Sequence, residues 1–237
     1  MLTGPKTVLM IRAYDQAVDF VSDLAVANPV TFAPMVFIEP LNTDQTLPSF
    51  ERIIFTSSNA VRLFANKTKN RSMDVDCVGS VTARAATEFG FKAPQLFETA
   101  AQLVASFQRE THDWAHILYP RAETVSMDIA GELARTGYDV TDMVIYRQTF
   151  KPLSRNAIDL IESSSVVVPI FSMEIAKCFH AAIVSIKPCD LTLVCISTPV
   201  AAVFDGFNVE IAPKPTRAAL IARIKTCLSA KKPEQSL

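Results

Sequence analysis

Glycine is scarce in this chain, six residues in 237, and none of them falls in a G-x-G-x-x-G or G-K-[ST] arrangement after a strand-like run. The loops that cradle nucleotide phosphates need such glycines, so a nucleotide-binding α/β enzyme is set aside. Cysteine is sparse and odd in number: Cys77, Cys178, Cys189, Cys195 and Cys227 lie in or beside apolar segments and form no C-x-x-C. They read as small reduced core residues, not as disulfides or ligands. The histidines number three. His112 and His116 belong to one expected helix end and His180 stands alone, with no third donor near them, so neither a metal site nor a cofactor is expected. Charge is balanced at −1 with no basic run or tail, which excludes a polyanionic nucleic-acid partner. Long apolar runs are missing too. Val166–Phe171 falls far short of the roughly 20 residues that span a bilayer, and the stretch from Met1 to Val8 lacks the length of a signal peptide. These absences predict a cytoplasmic protein. No paired carboxylate and no Cys–His constellation stands out, which removes most acid–base and nucleophilic mechanisms.

What the chain does have is 49% apolar residues, arranged as short β-branched runs that end in capping residues. In F-E-R-I-I-F-T-S-S-N-A-V-R-L-F-A-N (50–66), Arg52–Phe55 suits a strand buried on both faces. Thr56, Ser57, Ser58 and Asn59 then offer four successive capping oxygens. The helix that follows sets Ala60, Leu63 and Phe64 inward and Arg62 and Lys67 outward. Its free first-turn N–H groups form an anion site above the strand end. A capped βα unit alone needs no ligand, but this pattern recurs. Thr7–Arg12 leads to a helix over 15–27. Asp74–Val78 leads to Gly79-Ser80-Val81-Thr82 and a helix over 83–89. Gln95–Phe97 leads to Glu98-Thr99 and a helix over 100–109. His116–Tyr119 leads to Pro120-Arg121 and a helix over about 125–135. Farther on, Val166–Phe171 ends at Ser172, Leu191–Ile196 at Ser197-Thr198-Pro199, and Val209–Ala212 at Pro213-Lys214-Pro215-Thr216.

The spacing shows an internal repeat. Ser57, Gly79, Thr99 and Arg121 follow one another at 22, 20 and 22 positions, and Ser172, Ser197 and Thr216 at 25 and 19. The unit missing from the second set stands at the N-terminus, where Met10-Ile11-Arg12 matches Tyr119-Pro120-Arg121, so the halves match after circular permutation. Two extended segments, 30–41 with two prolines and 139–150 with alternating polarity, frame the inserted half. The expected fold is α/β: two parallel-sheet βα domains, flavodoxin-like and three-layered, joined by a two-stranded antiparallel β ribbon. Residues 1–34 and 149–237 form a discontinuous domain, 40–142 an inserted one, and 30–41 with 139–150 the connecting ribbon. Ligands of such sheets bind at strand carboxyl ends. Candidate binding residues are therefore Arg12, Thr56, Ser57, Ser58, Asn59, Gly79, Thr82, Arg121, Ser172, Ser197, Thr198 and Thr216. They line two rims that a hinge can close on a ligand with several carboxylates or phosphates. Ser57 and Thr82 serve equally well as plain caps.

In order and spacing the motifs resemble those of the uroporphyrinogen-III synthase family: I-R at 11–12, F-T-S-S-N-A-V at 55–61, V-G-S-V-T-A at 78–83, I-Y-R-Q-T at 145–149, F-S at 171–172 and A-P-K-P-T at 212–216. The chain departs from the family pattern in F-S-M-E-I-A, where F-S-P-S-A-V is usual, and at Val200, where the companion of Thr82 has lost its hydroxyl. The resemblance implies a cofactor-free lyase, a monomer that takes hydroxymethylbilane, by hand-over from hydroxymethylbilane synthase, and expels its terminal hydroxyl as water. Ring D is inverted through a spiro intermediate and the macrocycle closes as uroporphyrinogen III, an intermediate of haem biosynthesis. Because pyrroles react readily, positioning is most of what such an enzyme must supply, and strong acids and bases are not required. Tyr146 is the ring hydroxyl expected to help the leaving group, or else a strand residue packing on a domain edge. The competing reading is a non-catalytic two-domain binding protein for an anionic tetrapyrrole-like ligand.

Overall fold

The capped βα units fold into two mainly parallel sheets with helices on both faces. The computed structural model describes residues 4–41, 47–92, 94–109 and 116–230. In chain order the elements are β1 (Thr7–Met10), α1 (Tyr14–Leu24), β2 (Val30–Phe32), β3 (Val36–Pro40), β4 (Arg52–Phe55), α2 (Ser58–Lys67), β5 (Asp74–Val78), α3 (Ser80–Glu88), β6 (Gln95–Phe97) and α4 (Ala100–Arg109). They continue as β7 (Ile117–Ala122), α5 (Ile129–Ala134), β8 (Val140–Phe150), α6 (Arg155–Ser163), β9 (Ser165–Ile170), α7 (Met173–Ile183), β10 (Asp190–Cys195), α8 (Thr198–Ala201), β11 (Val209–Ile211) and α9 (Arg217–Ser229). The chain divides into two units, 1–37 with 149–237, and 38–148.

In the first unit the strands run in the order β2-β1-β9-β10-β11, all parallel. Side chains alternate between the faces. Leu9 and Ile11 pack with Ala157, Phe179 and Val200 of α6, α7 and α8, whereas Val8 and Met10 pack with Phe20, Leu24, Leu220 and Ile224 of α1 and α9. In the second unit the parallel order is β8-β7-β4-β5-β6, with β3 outside β8. Ile53 and Phe55 face α2 and α3 through Phe64, Ala85 and Ala86. Ile54 faces α4 and α5 through Leu103, Phe107, Ile129 and Leu133. Matching β1 with β7, β2 with β8, β9 with β4, β10 with β5 and β11 with β6 makes the two orders identical, each reversing chain direction once, at β1/β9 and at β4/β7.

At each reversal the flanking strands pair for only two residues, Thr7↔Val166 and Val8↔Val167 in one sheet, Arg52↔Ile117 and Ile53↔Leu118 in the other. Beyond them come Pro169 and Pro120. A proline offers no N–H to a ladder, and past this point each proline strand pairs only with its other neighbour, β9 with β10 and β7 with β8.

Several segments differ from the sequence expectation. The connector expected over 30–41 divides: Val30–Phe32 is an edge strand parallel to β1, and only the later part, β3, neighbours β8. Within the second unit Leu41 N donates to Ile145 O at 2.9 Å, and within the first Lys151 N donates to Met35 O at 2.9 Å. Strand β8 also pairs with β7 in parallel, which makes it a sheet strand along most of its length. Pro120 and Arg121 lie inside β7, and the helix expected over 125–135 is the shorter α5, started by Asp128, whose side chain accepts from Gly131 N. Helix α6, capped by Ser154, was not anticipated. Cys77, Cys195 and Cys227 are buried, but Cys189 is exposed and so is no core residue. His112 lies outside the described residues.

At the amino ends of the second sheet's strands two polar clusters fasten the unit. Arg52 binds Asp76 through Nε and, at 2.8 Å, through Nη2, which also reaches Gln95 at 3.1 Å. His116 bridges Asp139 at 2.8 Å and Thr141 at 2.6 Å. Both lie at the strand ends opposite those where ligands of such sheets bind.

Candidate functional site

In the second unit the carboxyl end of β4 delivers Thr56 and Ser57 directly into α2. Ser57 adopts extended backbone as the N-cap, and its Oγ accepts from Asn59 N at 3.1 Å. Two tyrosines grip this turn from opposite faces of the sheet. Tyr146 belongs to the α2/α3 face and donates to Ser57 Oγ at 3.0 Å. Tyr119, on the α4/α5 face, shares a hydrogen bond of 3.3 Å with Thr56 Oγ1. Burial pushes both phenols above their ordinary pKa. Hydrogen bonding with Ser57 and Asn59 offsets part of the rise for Tyr146, and bonding with Thr56 and the Arg121 charge offsets part of it for Tyr119. Both therefore stay protonated near neutral pH and keep a proton to donate. Ser58 and Asn59 are themselves buried.

One strand over, Gly79 caps α3 at φ 84°, in the left-handed region that a side chain would strain. Thr82 is the third residue of that helix and is buried. Arg121 is tied down. It forms a two-pronged pair with Asp142, 2.7 Å at Nη2, while Nη1 donates to the carbonyls of Ala122 and Glu123 at 2.7 and 3.0 Å. The pairing with Asp142 drives its pKa up.

In the first unit Arg12 follows β1 and lies over the Phe171 ring at 4.2 Å. Its Nη2 donates to Gln16 Oε1 at 2.7 Å. Burial and the nearby Arg217 charge lower its pKa to about 10, against the opposing effect of Asp19. Ser172, next to Phe171, caps α7 by accepting from Ile175 N at 3.4 Å. Thr216 caps α9 by accepting from Ala219 N at 3.3 Å. Ser197 and Thr198 open the short α8, where Ser197 makes no side-chain cap. Val200 occupies in α8 the place Thr82 holds in α3 and is buried in the core.

Hydrogen bonds thus bring Ser57, Asn59 and Tyr146 together and tie the adjacent Thr56 to Tyr119. Gly79 and Thr82 stand at the neighbouring strand end, Arg121 is occupied by an acid, and Arg12 and Ser172 form a separate group on the first unit. Sequence reasoning missed Tyr119, Asp142 and Arg217, and read Phe171 only as part of the F-S motif. Tyr119 was signalled by Y-P-R, a proline at the end of an apolar run. Among the described residues no group of His, Cys, Asp and Glu could hold a metal ion, and no helix is long and apolar enough to cross a membrane.

Two mainly parallel sheets of matching strand order, each with polar groups at its strand carboxyl ends, define a two-unit α/β protein, and those ends are where ligands of such sheets bind. The sequence profile of HEM4, described as uroporphyrinogen-III synthase HemD, matches residues 27–222, and the chain belongs to the uroporphyrinogen-III synthase family. The crystal structure of uroporphyrinogen-III synthetase from Helicobacter pylori 26695 superposes with a TM-score of 0.65 at 17% identity, over 94% of this chain and 99% of that one. A mutant uroporphyrinogen III synthase from the extremely thermophilic bacterium Thermus thermophilus gives 0.52 at 12% identity, over 95% and 100%. These likenesses establish the fold. No curated protein sequence matches the chain.

Proposed function

We propose that the chain is a lyase that closes hydroxymethylbilane to uroporphyrinogen III, expelling the terminal hydroxyl as water and inverting ring D through a spiro intermediate. The observation that carries this reading is the concentration of hydroxyl, main-chain and guanidinium donors at strand carboxyl ends, in a chain whose residues 27–222 match the synthase family. Such donors suit a substrate with dispersed carboxylates, and they position a reactive pyrrole chain without needing a strong acid or base. Arg12, Thr56, Ser57, Ser58, Asn59, Gly79, Thr82, Ser172, Ser197, Thr198 and Thr216 are the binding residues in this proposal, and Tyr146 assists the leaving hydroxyl. Arg121 is kept as a rim residue that acts while paired with Asp142. The same reading has the protein act in the cytoplasm, where its five free cysteines suit a reducing compartment. It acts as a monomer that receives substrate by hand-over from hydroxymethylbilane synthase.

The test generates hydroxymethylbilane in place with that preceding enzyme and separates the oxidised porphyrin isomers by chromatography. The III isomer should dominate, because uncaptured substrate cyclises unaided to the I isomer. A ratio left at the uncatalysed value overturns the assignment and favours a protein that binds without turnover.

A further inference from the structure

The hydrogen bonds around Ser57 run in one direction. Its Oγ accepts from Asn59 N at 3.1 Å and from the Tyr146 hydroxyl at 3.0 Å. A hydroxyl has two lone pairs and one proton, so both acceptor positions are filled and Ser57 has only its proton left to offer. The Asn59 side chain also bears on the phenol, whose bonding with Ser57 and Asn59 offsets part of the rise that burial causes. The order is then Tyr146 proton to Ser57 oxygen, and Ser57 proton outward. Accessibility agrees. Tyr146 is 2% exposed and packed in the core with Met143 and Ile145, whereas Ser57 is half-buried at the carboxyl end of β4. That end is beside the position where β4 and β7 cease to pair.

We propose that Ser57 is the catalytic residue this rim presents, donating its hydroxyl hydrogen to the departing hydroxyl oxygen of the substrate, and that Tyr146 is a positioning residue that acts through it. The inference rests on the synthase reading and assigns Ser57 the role that the family resemblance suggested for Tyr146. Tyr146 does two things from behind. It fixes the rotation of the Ser57 hydroxyl, and by donating to Ser57 it polarises that hydroxyl so that its own proton is given more strongly, as in any chain of hydrogen bonds.

The experiment measures kcat and KM for the III isomer in the coupled assay, for wild type, Ser57→Ala, Ser57→Asp, Ser57→Thr, Tyr146→Phe and the double variant Ser57→Ala with Tyr146→Phe. Ser57→Ala should lower kcat about 100-fold with KM little changed, the usual effect of losing one well-placed donor. Tyr146→Phe should lower kcat about 10-fold, and the double variant should be no slower than Ser57→Ala. Because Ser57 is also a helix cap, Ser57→Asp, which keeps the cap but offers no proton, should stay as stable as wild type by urea midpoint and as slow as Ser57→Ala. Ser57→Thr should restore both. The proposal is overturned if Tyr146→Phe is slower than Ser57→Ala, if the two losses multiply in the double variant, or if Ser57→Asp is active. A wild-type protein that forms no excess of the III isomer fails differently, since it removes the synthase reading itself.

Discussion

Replacing Asp76 by alanine should take from the buried Arg52 guanidinium the carboxylate that binds it with two parallel hydrogen bonds. Asp76 is fully buried and Arg52 is 8% exposed, and the two are joined by a pair of parallel hydrogen bonds, with Gln95 taking a further one. Asp74 stands 3.9 Å from the same guanidinium but is largely exposed and is screened by water, so it substitutes poorly for the lost acid. Removing one partner of a buried pair costs about 3–5 kcal/mol, most of it from the charge left behind. Against a total stability of about 5–15 kcal/mol that is a large fraction. With a urea dependence of about 2 kcal/mol per molar, the midpoint should fall by about 2 M. The assay is urea unfolding followed by far-ultraviolet circular dichroism. The double variant Arg52→Met with Asp76→Leu should recover most of the loss, because apolar residues of similar volume replace a buried ion pair at little cost. Since the pair lies at the amino ends of the strands, kcat at low temperature should be unchanged. A shift below about 0.5 M for the single variant, or a double variant as weak as the single, would refute the argument.

Other outcomes follow from the same structure. Arg12→Ala should raise KM about 10-fold because, among the described residues, no carboxylate occupies its guanidinium as Asp142 does for Arg121, whereas Arg121→Ala should cost about 1 kcal/mol of stability and leave KM nearly unchanged; steady-state kinetics and urea midpoints separate the two. Burial pushes the thiols of Cys77 and Cys195 up to about 12 from 9.0. The folded protein therefore keeps protons that the unfolded chain loses above pH 9, and stability should fall from pH 9 upward by about 1.4 kcal/mol per pH unit for each thiol, a slope that Cys→Ala variants reduce. Val200 is buried among apolar side chains, so Val200→Thr should cost about 1–3 kcal/mol in thermal or urea unfolding without any gain in rate. Thr82→Val should lower activity with little effect on stability.

Much of the frame could be read from residue types alone, because a parallel sheet needs apolar strands and capped helices in alternation, and F-T-S-S-N at 55–59 states both in five residues. The permuted match of Arg12 with Arg121 anticipated the shared strand order for the same reason. What escaped depends on register and tertiary contact. Val30–Phe32 looked like part of a connector because two prolines, Pro34 and Pro40, fall within 30–41, yet an edge strand pairs on one side only and tolerates such neighbours. Tyr119 stood in an apolar run and read as core, which it is; that its hydroxyl meets Thr56 follows from the side-by-side placement of β4 and β7, which no local pattern encodes. The partner of Arg121 was hidden likewise, since Asp142 reaches it only through the β7/β8 register that sets Tyr119 opposite Asp142.

That register also explains why the two equivalent arginines differ. Met10 stands to Arg12 as Tyr119 stands to Arg121, and Met10 lies opposite Phe32 where Tyr119 lies opposite Asp142. One guanidinium is thereby left to stack on Phe171, while the other is neutralised by Asp142. On the proposed mechanism this asymmetry has a use. Departure of the hydroxyl as water leaves positive charge shared between a pyrrole ring and its methylene carbon, and a free guanidinium nearby would oppose it. Two unit charges repel by about 4 kcal/mol at about 4 Å and an effective dielectric of about 20 and by half that at twice the distance, so a loss of about 2 kcal/mol, or about 30-fold in rate, is the scale expected. Asp142→Asn should therefore lower kcat by about that factor, more than Arg121→Ala does, although both break the same pair. Combining the two substitutions should return kcat to near the Arg121→Ala value, because the uncompensated charge is gone. Equal loss from Asp142→Asn and Arg121→Ala would show instead that the pair serves only to hold β7 against β8.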